Sequence, residues 1–169
     1  MSVEEYILWF IKYYATPMIA NAMPVLIKQG KPIDNYRVWI DGKRVLGDGK
    51  TWEGFITGLI GGYLASIVIS TLLQQPFLVP LLFLAALFGL LGDIVESFFK
   101  RRLGLKRGDP LPIMDQLDFA LSTTLFYYII GAIDINKTSL VILALIIIAL
   151  THIISNTIAY ILGLKKHPW

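Results

Sequence analysis

The chain has 169 residues, of which 56% are hydrophobic and 16% charged, and its mean hydropathy is +0.66; a water-soluble domain of this length could not hide so much apolar surface. It contains no cysteine, which excludes disulfides, thiolate zinc sites and cysteine nucleophiles and leaves oxygen donors or two histidines to hold any metal. The formal net charge is +3, and no nucleic-acid partner is expected, because the placement of the basic residues follows the positive-inside rule of membrane proteins.

Five apolar spans are predicted in chain order. They run from about Tyr6 to Ile27, Gly54 to Leu73, Phe77 to Phe99, Leu117 to Ile133 and Leu140 to Leu162. At 1.5 Å per residue each reaches across a hydrocarbon core of roughly 30 Å, the fourth only just. Of the fifteen Lys and Arg residues, six lie between Lys28 and Lys50, five between Lys100 and Arg107, and two at Lys165 and Lys166; Lys12 and Lys137 stand apart. This distribution puts the loops 28–53 and 100–116 and the tail Lys165-Lys166-His167 in the cytoplasm, with the N-terminus outside. Five spans is the parity that requires. The expected fold is therefore an all-α, multi-pass protein of the cell membrane, one transmembrane domain over 1–169, with its polar chemistry facing the cytoplasm.

The first span ends in Ala20-Asn21-Ala22, a sequence that resembles a leader cleavage site. It is expected to be retained, because it lacks a basic leader segment, carries Glu4 and Glu5 instead, and is interrupted by Lys12.

A first chemical cluster, Gly47-Asp48-Gly49-Lys50-Thr51-Trp52-Glu53-Gly54, sits where the long loop enters the second span. Glycines admit an anion close to the backbone, Lys50 is a point charge, and Thr51 can cap a helix whose free N–H groups favour phosphate. A Walker A loop would need a glycine at Arg44 and a preceding strand, so this is not one. An ordinary capped loop-to-helix junction remains the alternative. Gly54, Gly58 and Gly62 fit helix packing, within one chain or between subunits.

The third span closes on Asp93, Glu96, Ser97, Lys100 and Arg101. Asp93, Ser97 and the basic pair recur at helical spacing. Asp93 lies roughly 10 Å inside the helix end, where an ionised carboxylate is costly unless it meets a cation or water. It is a functional candidate, with a purely structural ion pair as the alternative. Glu96 falls on another face and is treated as accessory. Asp115 and Asp118, which open the fourth span, are spaced i, i+3, and a divalent cation between them would relieve their repulsion; helix N-termini also collect acids for dipole reasons alone. Carboxylates, a hard cation and a basic loop suit phosphoryl or nucleotidyl transfer. His152, Ser155 and Asn156 in the fifth span read as a packing group.

The segment Lys50-Thr51-Trp52-Glu53-Gly54-Phe55 resembles the KTWEGF segment of CDP-diacylglycerol synthases. Asp93-x-x-x-Ser97-x-x-Lys100-Arg101-x-x-x-x-Lys106 followed by Asp115-x-x-Asp118 is similar to that family's signature in order and approximate spacing. Pro112-Ile113-Met114 stands where the signature has His-Gly-Gly, and the chain is much shorter than those enzymes. The short chain, the five spans, Ala20-Asn21-Ala22-Met23-Pro24 and Asp115-Gln116-Leu117-Asp118 look like the archaeal CDP-archaeol synthase branch. The resemblance covers about Ala20 to Asp118. It implies a CTP-dependent transfer of a cytidylyl group to an isoprenoid ether-lipid phosphate, 2,3-bis-O-(geranylgeranyl)glycerol 1-phosphate, with release of pyrophosphate. On that basis Asp93, Asp115 and Asp118 would bind Mg2+, and these three with Lys100 would be catalytic. Asn21, Gly47, Asp48, Gly49, Lys50, Thr51, Glu53, Ser97, Arg101 and Lys106 would bind CTP or phosphate. Two rivals stand beside it: a CDP-alcohol phosphotransferase, whose DGxxAR and GxxxDxxxD motifs are absent, and a small transporter or assembly subunit, for which a nucleotide loop has no use.

Overall fold

Within hydrocarbon a backbone must satisfy its N–H and C=O groups internally, so long apolar runs become helices. A computed structural model describes residues 1–106 and 108–163; Arg107 and the predicted cytoplasmic tail Lys165-Lys166-His167 lie outside the described residues. Among those described, the chain is all-helical, with no strand and two isolated bridges, Pro32 to Thr51 and Val38 to Arg44. Helix α1 (Val3–Phe10) passes through a π-helical turn (Ile11–Ala15) into α2 (Thr16–Ala22) and a 3-10 turn (Met23–Leu26). Then come α3 (Trp52–Leu72), α4 (Val79–Arg102), α5 (Met114–Ile129) and α6 (Thr138–Ile161).

Among the described residues three helical stretches have the length and apolarity to cross a membrane: Trp52–Leu72, Pro76–Arg102 and Ile135–Ile161. They coincide with the second, third and fifth predicted spans. The first predicted span is one helical rod with a mid-rod irregularity, since φ and ψ stay helical through both of its π-turn joints. Its start is fixed by a capping box, in which Ser2 Oγ accepts from the Glu5 N–H and Glu5 Oε2 accepts from the Ser2 N–H. The fourth span is displaced: α5 begins at Met114 and has 16 residues, about 24 Å at 1.5 Å per residue.

The π turn has a local cause. Pro17 has no N–H to offer the Tyr13 carbonyl one turn back. The buried Tyr127 hydroxyl on α5 donates to that carbonyl instead, at 3.1 Å, while the Tyr13 hydroxyl donates to the Ala132 carbonyl at 2.9 Å. The two rings meet edge to face at 5.0 Å. Around them Trp9, Tyr14, Phe119, Phe126, Val141 and Ile148 form the largest core, between the rod, α5 and α6.

On the other side α3 packs through glycine. A Cβ on Gly58 would lie 2.8 Å from Leu90 Cδ2, and one on Gly62 would lie 2.7 Å from Ala86 Cβ. The glycine face thus serves packing inside this chain, against α2 and α4. Helices α4 and α5 approach as closely at Gly92, where a Cβ would stand 2.7 Å from the Asp118 carbonyl oxygen.

Tyr127→Phe removes the buried hydroxyl that donates to the Tyr13 carbonyl. The expected loss is about 1–3 kcal/mol, read as a lower midpoint of thermal unfolding in detergent. An unchanged midpoint would show that the π turn does not need this hydroxyl.

Candidate active site

The loop between the rod and α3 is organised by a buried carboxylate. Asp34, whose side chain is fully shielded, accepts from Arg44 Nη2 at 2.7 Å and Arg44 Nε at 3.1 Å, and from the N–H groups of Tyr36, Leu46 and Gly47. Arg44 also pairs with Asp48 at 2.7 Å and lies over the Tyr36 ring. Burial pushes the Asp34 carboxyl up, but the Arg44 guanidinium and the three backbone N–H groups outweigh it and hold it at about 2, below its ordinary 3.8. The segment Gly47–Lys50 is thereby fixed. Thr51 caps α3, its Oγ1 accepting from the Gly54 N–H at 3.1 Å.

From this fixed loop Lys50 reaches α4, its Nζ 2.5 Å from Asp93 Oδ2. Burial works against the ammonium, yet the Asp93 charge and hydrogen bond prevail and raise its pKa. Behind that pair, carboxylate oxygens of Asp93, Glu96 and Asp118 lie within 4.8 Å of one another. Lys100 closes the far side, with Nζ 3.2 Å from Glu96 Oε1 and 2.6 Å from Asp115 Oδ1. By formal charge, four carboxylates face two ammonium groups. Three hard oxygen donors in a largely buried site with that imbalance fit a divalent cation.

Two cavities stand out among the described residues, and the first opens on this centre. One, of about 370 Å3, is lined by Lys28, Gly30, Tyr36, Gly49, Lys50 and Asp93 among others, with Asp48 and Thr51 at its wall. The second, of about 330 Å3, lies between α2, α5 and α6 and is lined by Asn21, Val25, Phe119, His152 and Asn156 among others. Of the predicted phosphate-binding residues, Asp48, Gly49, Lys50 and Thr51 therefore share one cavity with Asp93. Asn21 faces the other cavity. Glu53 turns to the loop instead and accepts from the Lys31 N–H at 2.7 Å. Gly47, with φ +87°, lies against the Arg101 side chain, and Arg101 Nη2 donates to the Lys106 carbonyl. Ser97 is buried in α4. His152 meets Phe119 edge-on, and Ser155 Oγ donates to its carbonyl.

Asp115 and Asp118 meet different partners. Asp115 is held by Lys100 and accepts from the Leu111 N–H at 3.1 Å. Glu96, which residue order places on another face, stands beside Asp93 and Asp118. The signal was available: Asp93 and Glu96 have the same i, i+3 spacing as Asp115 and Asp118, and such residues are neighbours on a helix. Asp34, Lys28 and Gly30 carry no comparable local mark. Just before α5, Ile113 has φ +72° and ψ −50°, a region that glycine enters without cost and a β-branched residue does not. It falls where the signature described above has its first glycine.

A family model described as CarS-like, CDP-archaeol synthase, matches residues 3–169. A protein called CDP-archaeol synthase from Staphylothermus marinus is 48% identical over 171 residues, covering 100% of this chain and 97% of that protein. One of the same name from Thermococcus kodakarensis is 40% identical, covering 96% of each. A solved structure, described as an intramembrane enzyme for archaeal membrane lipids biosynthesis, matches with a TM-score of 0.78 at 36% identity, over 86% of this chain and 91% of that one.

Two outcomes test the geometry. Gly92→Ala forces the Asp118 backbone away from α4, so divalent-cation protection against thermal unfolding should fall; unchanged protection would mean the helices yield without moving the carboxylate. Because Asp34 is depressed on folding, its contribution is complete above about 4 and is lost only as the pH falls toward about 2. Hydrogen-exchange protection factors at Leu46 and Gly47 should therefore be flat from neutral pH down to about 4 and collapse at any pH in Asp34→Asn.

Proposed function

The chain belongs to the CDP-archaeol synthase family and is a CTP-dependent nucleotidyltransferase of archaeal membrane-lipid biosynthesis; from that premise we propose that it transfers the cytidylyl group of CTP to 2,3-bis-O-(geranylgeranyl)glycerol 1-phosphate. The observation that carries this reading is the Lys50 to Asp93 pair, which joins a glycine-rich, cation-bearing cavity to a cluster of three carboxylates. Neither a phosphotransferase nor a transporter suits a member of this family.

In the proposed reaction an oxygen of the lipid phosphate attacks the α-phosphorus of CTP. A new P–O bond forms, the bond from the α-phosphorus to the bridging oxygen breaks, and pyrophosphate leaves with that electron pair. The nucleophile is already anionic at neutral pH, so no strong base is needed. The protein's work is positioning and neutralising charge.

Asp93, Glu96 and Asp118 would hold Mg2+, with Asp115 one helical turn away as a further carboxylate. When bound there, the ion supplies neutralisation of phosphate oxygens. Lys50, with the backbone of Gly47, Gly49 and Thr51, would receive the triphosphate. Lys100, Arg101 and Lys106 would meet its far end or the lipid phosphate. The cavity between α2, α5 and α6 supports a lateral path for the lipid. Its wall residue Phe119 stands one turn beyond Asp115 on the same face of α5, so a phosphate entering there would approach Lys100.

The rod and α5 would complete five spans in one domain, with the N-terminus outside and both polar loops on the cytoplasmic side.

Purified protein with CTP, Mg2+ and the ether-lipid phosphate should release pyrophosphate. Asp118→Asn should abolish release, and Lys50→Ala should reduce it by roughly 10²–10³-fold, the scale of losing one group that stabilises developing charge. Release that proceeds without the lipid, or that survives Asp118→Asn, would overturn the assignment.

A further inference from the structure

The long loop between the rod and α3 carries an apolar feature that nucleotide binding does not use. Its middle is a short hairpin: the Trp39 N–H donates to the Lys43 carbonyl at 2.7 Å, the Val45 N–H to the Arg37 carbonyl at 3.1 Å, and Gly42 takes φ +75° at the tip. At that tip Ile40 is 94% exposed, more than any other large apolar residue described, and Val38 and Trp39 beside it are also exposed. A turn in water seldom displays such a run. The tip is also not free to move. Trp39 packs edge-on against Phe98 of α4 at 5.4 Å, Asp41 pairs with Arg102 at 2.8 Å, and Lys43 Nζ donates to the Arg102 carbonyl at 2.9 Å.

Phe98 and Arg102 mark the end of the membrane-crossing stretch Pro76–Arg102. The hairpin tip is therefore pinned to the basic end of that apolar helix, where its composition turns from apolar to charged. Phe99 and Leu103, both exposed on the same helix end, continue the apolar surface. Lys43 and Arg102 border it, and the one acid at the tip, Asp41, is already neutralised by Arg102. An exposed aliphatic residue beside a tryptophan, at the basic end of an apolar helix and with cations around it, has the composition of a surface-inserting anchor.

We propose that the tip Trp39–Lys43 is inserted in the boundary between headgroups and acyl chains of the bilayer that surrounds the helices, with Ile40 as the inserted residue and Lys43 on lipid phosphate, while Arg102 stays on Asp41 and holds the tip to α4. The occupant of this surface is lipid. Through the Arg37 to Val45 ladder and the Asp34 to Arg44 clamp, the anchor holds the segment that presents Lys50.

The chain contains no cysteine, so Ile40→Cys gives a single labelling position for an environment-sensitive fluorophore. In nanodiscs holding one chain each, its emission should be blue-shifted, and quenched several-fold more by lipids brominated near the headgroup than by aqueous iodide. Emission at the aqueous wavelength with strong iodide quenching overturns the proposal. So does a blue shift that appears only with two chains per disc, since the surface would then meet a second copy. Independently, Ile40→Asn should speed hydrogen exchange across residues 37–46 several-fold in nanodiscs, with Trp39 kept in place. Unchanged exchange counts against an anchor.

Discussion

An ionised carboxylate placed inside a membrane-spanning helix needs a cation, and Asp93 finds one on another element, at Lys50. The polar groups around it are arranged to meet that requirement. The lysine can reach only if its loop is stiff, and the loop is stiff because Asp34 and Arg44 gather its backbone N–H groups around one buried ion pair. Helix α5 can add Asp118 only because Gly92 lets it lie almost against α4. The site is thus assembled from three non-contiguous segments, each useless for this chemistry without the other two.

The charges are also ordered. Lys50 faces the nucleotide-sized cavity, the trio of carboxylates lies behind it, and Lys100 closes the other side against Asp115. Cations flank a central excess of negative charge. Two anionic reactants would thus each meet an ammonium group first and the acidic centre second, which suits a reaction in which charge must be neutralised between them.

Much of this was legible from residue order, and the parts that were not share a physical cause. Long apolar runs at Trp52–Leu72 and Pro76–Arg102 declare themselves through length and composition, and Thr51 declares itself as a cap through its place before such a run. Asp93 stands out because hydrocarbon makes it conspicuous. By contrast Arg44 enters a linear reading only as the residue that spoils a Walker A spacing, whereas in space it is the clamp of the whole loop. Asn21 shows what residue order leaves open: the helical phase of α2 turns it to the cavity beside α6. Helix phase and loop closure are decided by contacts distant in sequence, and Glu96 shows that even a local spacing is missed when only one face is considered.

The corner before α5 closes on itself: the Leu111 N–H donates to Asp115 Oδ2, and the Asp115 N–H donates to the Leu111 carbonyl at 3.0 Å. Between them Ile113 is kept at φ +72°, a conformation that costs a non-glycine residue about 1–3 kcal/mol. The clasp and the strained residue therefore share one free energy. Drawing the Asp115 carboxylate away from Leu111 would break one bond of the clasp and let Ile113 relax, so the relief of strain at Ile113 offsets part of the cost of moving that carboxylate.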